Sequence, residues 1–536
     1  MDPRDSAATV PRRDFLKGAA AVAAAATVSS ASAEQSPAKP SKTIGIQVGA
    51  VSFVDEGVDQ VLDILQERGH VNTIYLATFT YGRGIAGRQV PGQPLPDHGK
   101  QQYDQDTFHG GNYATPHAAF YEKTALKQTK APDFGDYDVL AEVLPKAKQR
   151  GLRVYCWYED VFRTDIAGVQ PLREIDLQGR PTATLCTLNP DYKNFIAGMT
   201  ADFCKSYDID GVMWGSERQG PLNNAIGASH AGRADPNRVT CFCEHHQKAA
   251  RVRGIDVPRA MEGYKKLAQF VTAAQAGNRP SDGYFVTFWR LLVEYPELIA
   301  WEKLWTDGQH AIYQDVYDTA KKSKPAAQVG FHIWHANSFA PFFRAEQDYA
   351  KMATYADELK IVAYNLCGGP RYAGAIESVH NTVFRDLSRE EVFSFFNRIL
   401  SYEHERPLAD LPTTGLSADY VARETRRAVE GVENRRVEHP PWRGLSPFVE
   451  SAKQKGSVPL SADGSRIGSK CKILPGIDID IPTARDQKKT TPQDVYDSTT
   501  AALKSGASGV IFSRKYSEMR LDNLSAGGRA VKEFLG

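Results

Sequence analysis

The sequence predicts an α/β fold, a closed (β/α)8 barrel with long inserts after some strands. Three observations carry this: eight short apolar runs with strand character, amphipathic stretches between them, and no short solenoid repeat. The runs are Thr43 to Gly49, Asn72 to Phe79, Leu152 to Tyr158, Ile209 to Gly215, Gln328 to Trp334, Lys360 to Asn365, Lys472 to Ile479 and Gly509 to Ser513. Helical periodicity covers Val58 to Arg68, Tyr137 to Arg150, Tyr192 to Tyr207, Trp301 to Lys322, Gln347 to Leu359, Arg389 to Glu403, Asp494 to Ser505 and Asn523 to Leu535. Such alternation is the pattern of parallel βαβ units. Closing them into a ring places the βα loops, and hence the functional residues, at the carboxyl ends of the strands. A doubly wound open sheet is the alternative assembly of the same units.

With 536 residues and 42% hydrophobic content, the chain can bury a large core. Its 65 basic and 64 acidic residues nearly cancel, so no global field draws nucleic acid or an anionic membrane, and a neutral partner is expected. The 10% of aromatic residues suits both core packing and stacking on sugar faces. Seven cysteines in so long a chain make no dense disulfide framework, and the odd count leaves at least one outside any intramolecular pairing.

Residues 1–33 read as an address. Pro11-Arg12-Arg13-Asp14-Phe15-Leu16-Lys17 precedes an alanine-rich apolar run from Ala19 to Val28, and Ala31-Ser32-Ala33 has the small-x-small form of a cleavage site. This resembles a twin-arginine export signal and implies a periplasmic or secreted protein with no membrane association after the signal is removed. Residues 34–42 read as a linker, leaving 43–536 as the barrel with inserts at 82–135, 218–282 and 406–471. Inserts of that length are usually functional or carry structure of their own. The first contains His109-Gly110-Gly111-Asn112-Tyr113, a turn that could face a substrate, and the third contains His439-Pro440-Pro441-Trp442, expected to cover the barrel.

If the strands all point one way, their carboxyl ends meet at one mouth. Strand four runs into Trp214-Gly215-Ser216-Glu217-Arg218, placing Glu217 just past its end, where an apolar setting beside Trp214 would raise its pKa and make it a general acid. Asp210, at the other end of that strand, reads as a turn or capping residue. Strand seven reads Ile477-Asp478-Ile479-Asp480-Ile481. With period two, both aspartates share the face that should point into the mouth, opposite the isoleucines. Strand three adds Trp157, Glu159 and Asp160, and strand five adds His332 and Trp334. Tyr364, Asn365 and Arg514 follow from strands six and eight. These and Trp214 are the expected substrate-binding residues, with Glu217, Asp478 and Asp480 the expected catalytic ones. Several carboxyls around one mouth meet the requirement of glycosidic-bond cleavage: one protonates the leaving oxygen, another attacks the anomeric carbon or activates water. No Walker loop, G-x-S-x-G elbow or H-E-x-x-H motif is present.

Cys241-Phe242-Cys243-Glu244-His245-His246 is a separate signal. C-x-C-x-x-H can place two thiolates and an imidazole on one zinc, with Cys186 as a fourth ligand; a disulfide or free buried thiols are the other readings. The stretch through Ala249, with Arg253-Gly254-Ile255-Asp256 after it, resembles a segment of exported (β/α)8 glycoside-hydrolase-like proteins. It is also similar to the structural cysteine cluster of glycoside hydrolase family 42 β-galactosidases, in which a third cysteine stands where His246 stands here. The resemblance implies an acid at the end of strand four, matched by Glu217. It also implies a nucleophile at the end of strand seven, where Asp478 or Asp480 stands in place of the usual Glu. The expectation is therefore an exported glycoside hydrolase acting on an oligosaccharide, polysaccharide or glycoside, with no cofactor required for catalysis and with structural zinc, a disulfide or free thiols all open at the cysteine cluster. A metal-dependent sugar isomerase or lyase, or a carbohydrate-binding barrel without activity, would use the same fold.

Overall fold

Short runs rich in β-branched and aromatic residues form the eight strands of a barrel in the computed structural model. It describes residues 42–81, 86–105, 110–127, 129–160, 164–229, 234–433 and 471–536. The export signal, His109 and the His439 to Trp442 stretch lie outside the described residues. The strands are β1 (Thr43–Gly49), β2 (Thr73–Tyr81), β3 (Arg153–Glu159), β4 (Gly211–Gly215), β5 (Gln328–Ile333), β6 (Glu358–Ile361), β7 in two segments (Lys472–Ile473 and Gly476–Asp478) and β8 (Gly509–Ser513). Each pairs in parallel with its neighbours. β1 lies between β2 and β8, and the order β2, β3, β4, β5, β6 follows the chain. β7 closes the ring: its first segment pairs with β6 through Lys472 and Glu358, and its second pairs with β8 through Gly476 and Ile511. A bridge from Val362 to Gly476 completes the seam.

The break within β7 falls at Leu474-Pro475, because proline has no N–H to give to the ladder. The carbonyl of Pro475 still accepts from Ile511 N at 2.9 Å. β6 starts two residues earlier than the sequence suggests, and the helix expected over Gln347 to Leu359 is reduced to the turn Tyr349–Met352. Tertiary pairing overrides the helical periodicity there. Glu358 and Leu359 pair with Gly330 and Phe331 of β5, and the Glu358 carboxylate accepts from the hydroxyls of Tyr75 (3.0 Å) and Tyr155 (3.2 Å) inside the ring.

Strand alternation sorts the side chains into two cores. Ile46, Val154, Val212, Trp214, Phe331, Leu359, Ile477 and Phe512 face outward into the helix layer. Tyr75, Tyr155, Trp157, Met213, Leu474 and Ile511 fill the lumen. The large rings need glycine opposite them: a Cβ on Gly45 would lie 2.5 Å from the Tyr75 ring, and one on Gly211 would lie 2.5 Å from the Tyr155 ring. The barrel helices start on recognisable caps. Asp138 accepts from two N–H groups at the head of Val139–Gln149, and Ser388 and Thr491 form capping boxes with Glu391 and Asp494. The insert after β4 is helical (Pro221–Ala225, Glu244–Val252, Val257–Gln275, Tyr284–Glu294) and leads into the 27-residue barrel helix Glu297–Ser323. Among the described residues no helix is long and apolar enough to cross a membrane.

Candidate active site at the barrel mouth

The inward-facing residue nearest the carboxyl end of each strand builds the site. β3 ends on Glu159, whose Oε1 accepts from Trp157 Nε1 at 3.3 Å. Two residues past the end of β4, Glu217 stands exposed, and its Oε1 accepts from His332 Nε2 of β5 at 2.9 Å. His332 is buried and meets the Trp157 ring edge-on, with centroids 5.3 Å apart. With Nε2 donating, a neutral imidazole leaves Nδ1 as an acceptor, and that buried atom has no hydrogen-bond partner among the described residues. Burial and the nearby charge of Lys360 both lower the His332 pKa, against the pull of Glu217, and so favour the neutral ring.

Lys360 of β6 is fully buried beneath these groups. Its ammonium donates to Gln47 Oε1 (2.5 Å) and to the Tyr364 hydroxyl (3.0 Å), and it lies 4.7 Å from the Trp157 ring centre. Burial lowers its pKa to about 7, while the charges of Glu217 and Glu159 oppose the drop. The same electrostatics act on Glu159. Burial first, then the charge of Glu217, raises its pKa to about 7. Asp478, at the end of β7, is buried and accepts from the backbone N–H of Cys367 (2.8 Å) and of Ile481 (3.4 Å). Burial pushes its pKa up to about 6 despite those bonds and the charge of Arg371. Arg371 donates to His335 Nδ1 at 3.0 Å and feels both Glu217 and Asp478. Arg514, just past β8, donates to Glu518 Oε2 at 3.0 Å, and its charge reaches Glu159 and Tyr364.

Glu217, Glu159, Asp478, Trp157, His332, Tyr364 and Arg514 thus gather at one end of the ring, and several other sequence candidates do not. Asp480 lies beyond the last paired residue of β7, where period two no longer holds. Its backbone has φ of 53°, and its carboxylate accepts from Arg520 N (2.8 Å), Asn523 Nδ2 (2.8 Å) and the Arg520 guanidinium (2.9 Å). Asp160 is buried in the outer shell and accepts from Arg218 Nε and Ser216 Oγ, both at 2.7 Å, and from the Tyr192 hydroxyl. Trp214 faces outward onto Tyr313, with ring centroids 4.9 Å apart, and so provides no apolar wall for Glu217. Trp334 packs edge-on against Phe343 at 5.6 Å. Asn365 donates to Leu416 O and accepts from Ser498 Oγ, each at 3.2 Å. Asp210 caps strand starts by accepting from Val154 N at 2.8 Å. Sequence reasoning missed Gln47, Lys360 and Arg371; the available signal was one lysine inside the apolar run Leu359-Lys360-Ile361-Val362-Ala363.

A second cluster lies away from the lumen. Cys186, Cys241, Cys243 and His246 are all buried, and their ligand atoms lie within 4.8 Å of one another. Cys186 Sγ is 3.2 Å from His246 Nδ1 and 3.4 Å from Cys243 Sγ. No cysteine of the chain is in a disulfide. Among the described residues this is the one group of three or more Cys, His, Asp or Glu ligands drawn together closely enough for a metal, and the mouth forms none.

Residues 9–29 match the family described as TAT (twin-arginine translocation) pathway signal sequence. The N-terminus is an export signal. No curated protein matches the chain. Among solved structures it is similar to the PgaB (BpsB) glycoside hydrolase domain from Bordetella bronchiseptica, with TM-score 0.42 and 12% identity over 93% of this chain and 99% of that one. It is also similar to the β-galactosidase from Marinomonas ef1, with TM-score 0.48 and 10% identity over 92% of this chain and 59% of that one. A third is the β-galactosidase from the haloarchaeon Halorubrum lacusprofundi, with TM-score 0.46 and 11% identity over 92% and 58%. The chain therefore spans about three fifths of the length of these two β-galactosidases.

Proposed function

We propose that the protein is an exported glycoside hydrolase, released to the periplasm or the medium, with its active site at the barrel mouth. One observation carries the reading: β3 and β4, neighbours in the ring, bring Glu159 and Glu217 to the same mouth, where burial first and the charge of Glu217 second favour the protonated form of Glu159. A carboxyl that keeps its proton near neutral pH beside a second carboxyl is what acid-assisted cleavage of an acetal needs. The roles differ from those the sequence suggests. Glu217 is exposed and Trp214 turns away from it, so burial acts on Glu159 instead. Glu159 protonates the departing glycosidic oxygen, and Glu217, oriented by His332, attacks the anomeric carbon or activates a water. Asp478 is a positioning residue: it fixes the backbone at Cys367 and faces Arg371. Trp157 and Tyr364 offer the aromatic surface for a neutral sugar ring.

The cysteine cluster suits a structural zinc. Three thiolates and one imidazole form a closed four-coordinate set, and the buried donor spacing is that of ligands around one small ion. Bound there, zinc would lock the strand-four insert against the segment carrying Cys186, apart from the chemistry. Metal analysis of purified protein should give one zinc per chain, and metal-free protein of undiminished stability would end this part of the reading.

The test of activity is a screen of oligosaccharides and aryl glycosides with wild type, Glu159→Gln and Glu217→Gln. Reducing ends should appear with wild type and fall sharply with both variants. Equal product from all three would show that the acids are wrong. Binding without product would leave a carbohydrate-binding barrel.

A further inference from the structure

The helix Tyr284–Glu294 carries an apolar stripe on the side away from the barrel. Phe285, Val286, Trp289 and Val293 are all exposed, Trp289 by 57% and Val293 by 66%. Their spacing is that of one helix face. The stripe does not stop at the helix edge. Phe285 stacks on Phe384, with centroids 5.8 Å apart, and Phe384 meets Phe395 at 6.2 Å, so the surface continues to Phe395 and Ile399 of the helix Arg389–Leu400. Asp386 ties the two helices together by accepting from Tyr284 N (2.7 Å) and Phe285 N (3.1 Å), which holds the surface in one shape before anything docks on it.

From the exposed fractions of these six side chains, the patch presents roughly 600 Å² of apolar surface, taking about 150–250 Å² for each ring and less for each aliphatic group. A single apolar patch on a monomer runs to about 300–600 Å². A stable interface takes about 800 Å² from each partner, about 65% of it apolar where two copies of one chain meet. The patch lies at the top of the monomer range and matches the roughly 520 Å² of apolar surface that one such face of a homodimer contributes. The stripe is also nearly symmetric about Trp289, with Phe285 four residues before it and Val293 four after. Across a two-fold axis at Trp289, two antiparallel copies would set Phe285 of each on Val293 of the other. The charged rim carries both signs, already paired as Arg290 with Asp282, Arg279 with Asp386 and Arg389 with Glu377. A rim of that kind meets its own copy without like-charge conflict and holds no excess of positive charge for an anionic lipid surface.

We infer that the protein is a two-fold homodimer through the face formed by Phe285, Trp289, Val293 and Phe395. The experiment is sedimentation of the purified mature chain over a range of concentrations, for wild type, Trp289→Glu and Val293→Arg. Wild type should sediment as a dimer. Each variant should weaken association about 30-fold or more while keeping the wild-type circular dichroism spectrum, because the replaced side chains are more than half exposed in the single chain. A second measurement does not depend on a loss. Trp289→Cys, placed at the axis, should form a covalent dimer on mild oxidation, and Glu142→Cys on an exposed barrel helix should not. Wild type that stays monomeric at high micromolar concentration would overturn the inference. So would a dimer indifferent to both charge substitutions, or a monomer that uses the patch to bind vesicles of neutral or anionic lipid.

Discussion

Glu159 and Asp160 are adjacent, as are Glu217 and Arg218, yet one member of each pair stands at the mouth and the other is sealed in the shell outside the ring. The outer pair is matched in charge: Arg218 donates to Asp160 and to Leu185 O and lies 3.2 Å from Glu174, and Ser216 and Tyr192 also donate to Asp160, while Arg218 Nη2 has no hydrogen-bond partner among the described residues. At the mouth no described residue forms an ion pair with Glu159; Lys360 and Arg514 act on it only through space, and burial raises its pKa to about 7. The difference shows how a single alternation divides labour. A carboxylate matched by a guanidinium holds structure, and one buried beside another carboxylate keeps a proton available at neutral pH.

Substitutions can break this contrast. Glu159→Gln and Glu217→Gln are expected to lower turnover about a thousandfold with little change in the urea midpoint. Arg218→Met is expected to do the reverse. It leaves Asp160 and Glu174 as buried charges without their cation, costing about 3–5 kcal/mol in urea unfolding, while turnover per folded molecule stays near wild type. Equal loss of stability at both places would erase the distinction.

The pH profile sharpens it. If Glu159 supplies the proton, the basic limb of kcat/KM should fall about tenfold per unit above about pH 7, as Glu159 ionises. Stability should follow the same proton. The folded pKa is raised above the usual 4.5, so the stabilisation is fully present below pH 4.5 and is lost as pH rises through about 7. Urea midpoints across that window should flatten in Glu159→Gln and not in Asp160→Asn. The smallest effect belongs to Asp480→Asn. Its partners Arg520 and Asn523 sit at the head of the last helix, so the loss should be about 1 kcal/mol or less with kcat unchanged.

The barrel was legible because its signals are local and repeated: β-branched runs, amphipathic intervals, capping residues. Glu217 and Asp478 were legible for the same reason, since a strand end in a barrel has only one place to go. Asp480 was misplaced because the two-residue period was extended past Asp478, where pairing ceases. Trp214 was misplaced because it was judged by its neighbour Glu217 and not by its own parity with Val212, which faces outward. Gln47 and Arg371 give no sequence signal at all. A glutamine in an apolar first strand and an arginine on a helix acquire meaning only when Lys360 and Asp478 are brought to them from hundreds of residues away.

The interruption of β7 at Pro475 has a mechanical consequence. Among the described residues this strand joins β6 through the Lys472 and Ile473 pairs, the Leu474 N to Leu359 O bond, the Lys472 to Glu358 ion pair and the Val362 to Gly476 bridge, whereas β2 and β3 share a longer ladder. The ring is stitched most thinly there, so the amides of Lys472 and Leu474 should exchange with deuterium ahead of those of Val154 and Cys156. Asp478 clasps the Cys367 amide across that same thin join, and a sugar that engages it would act as a rivet on the weakest stave of the cask.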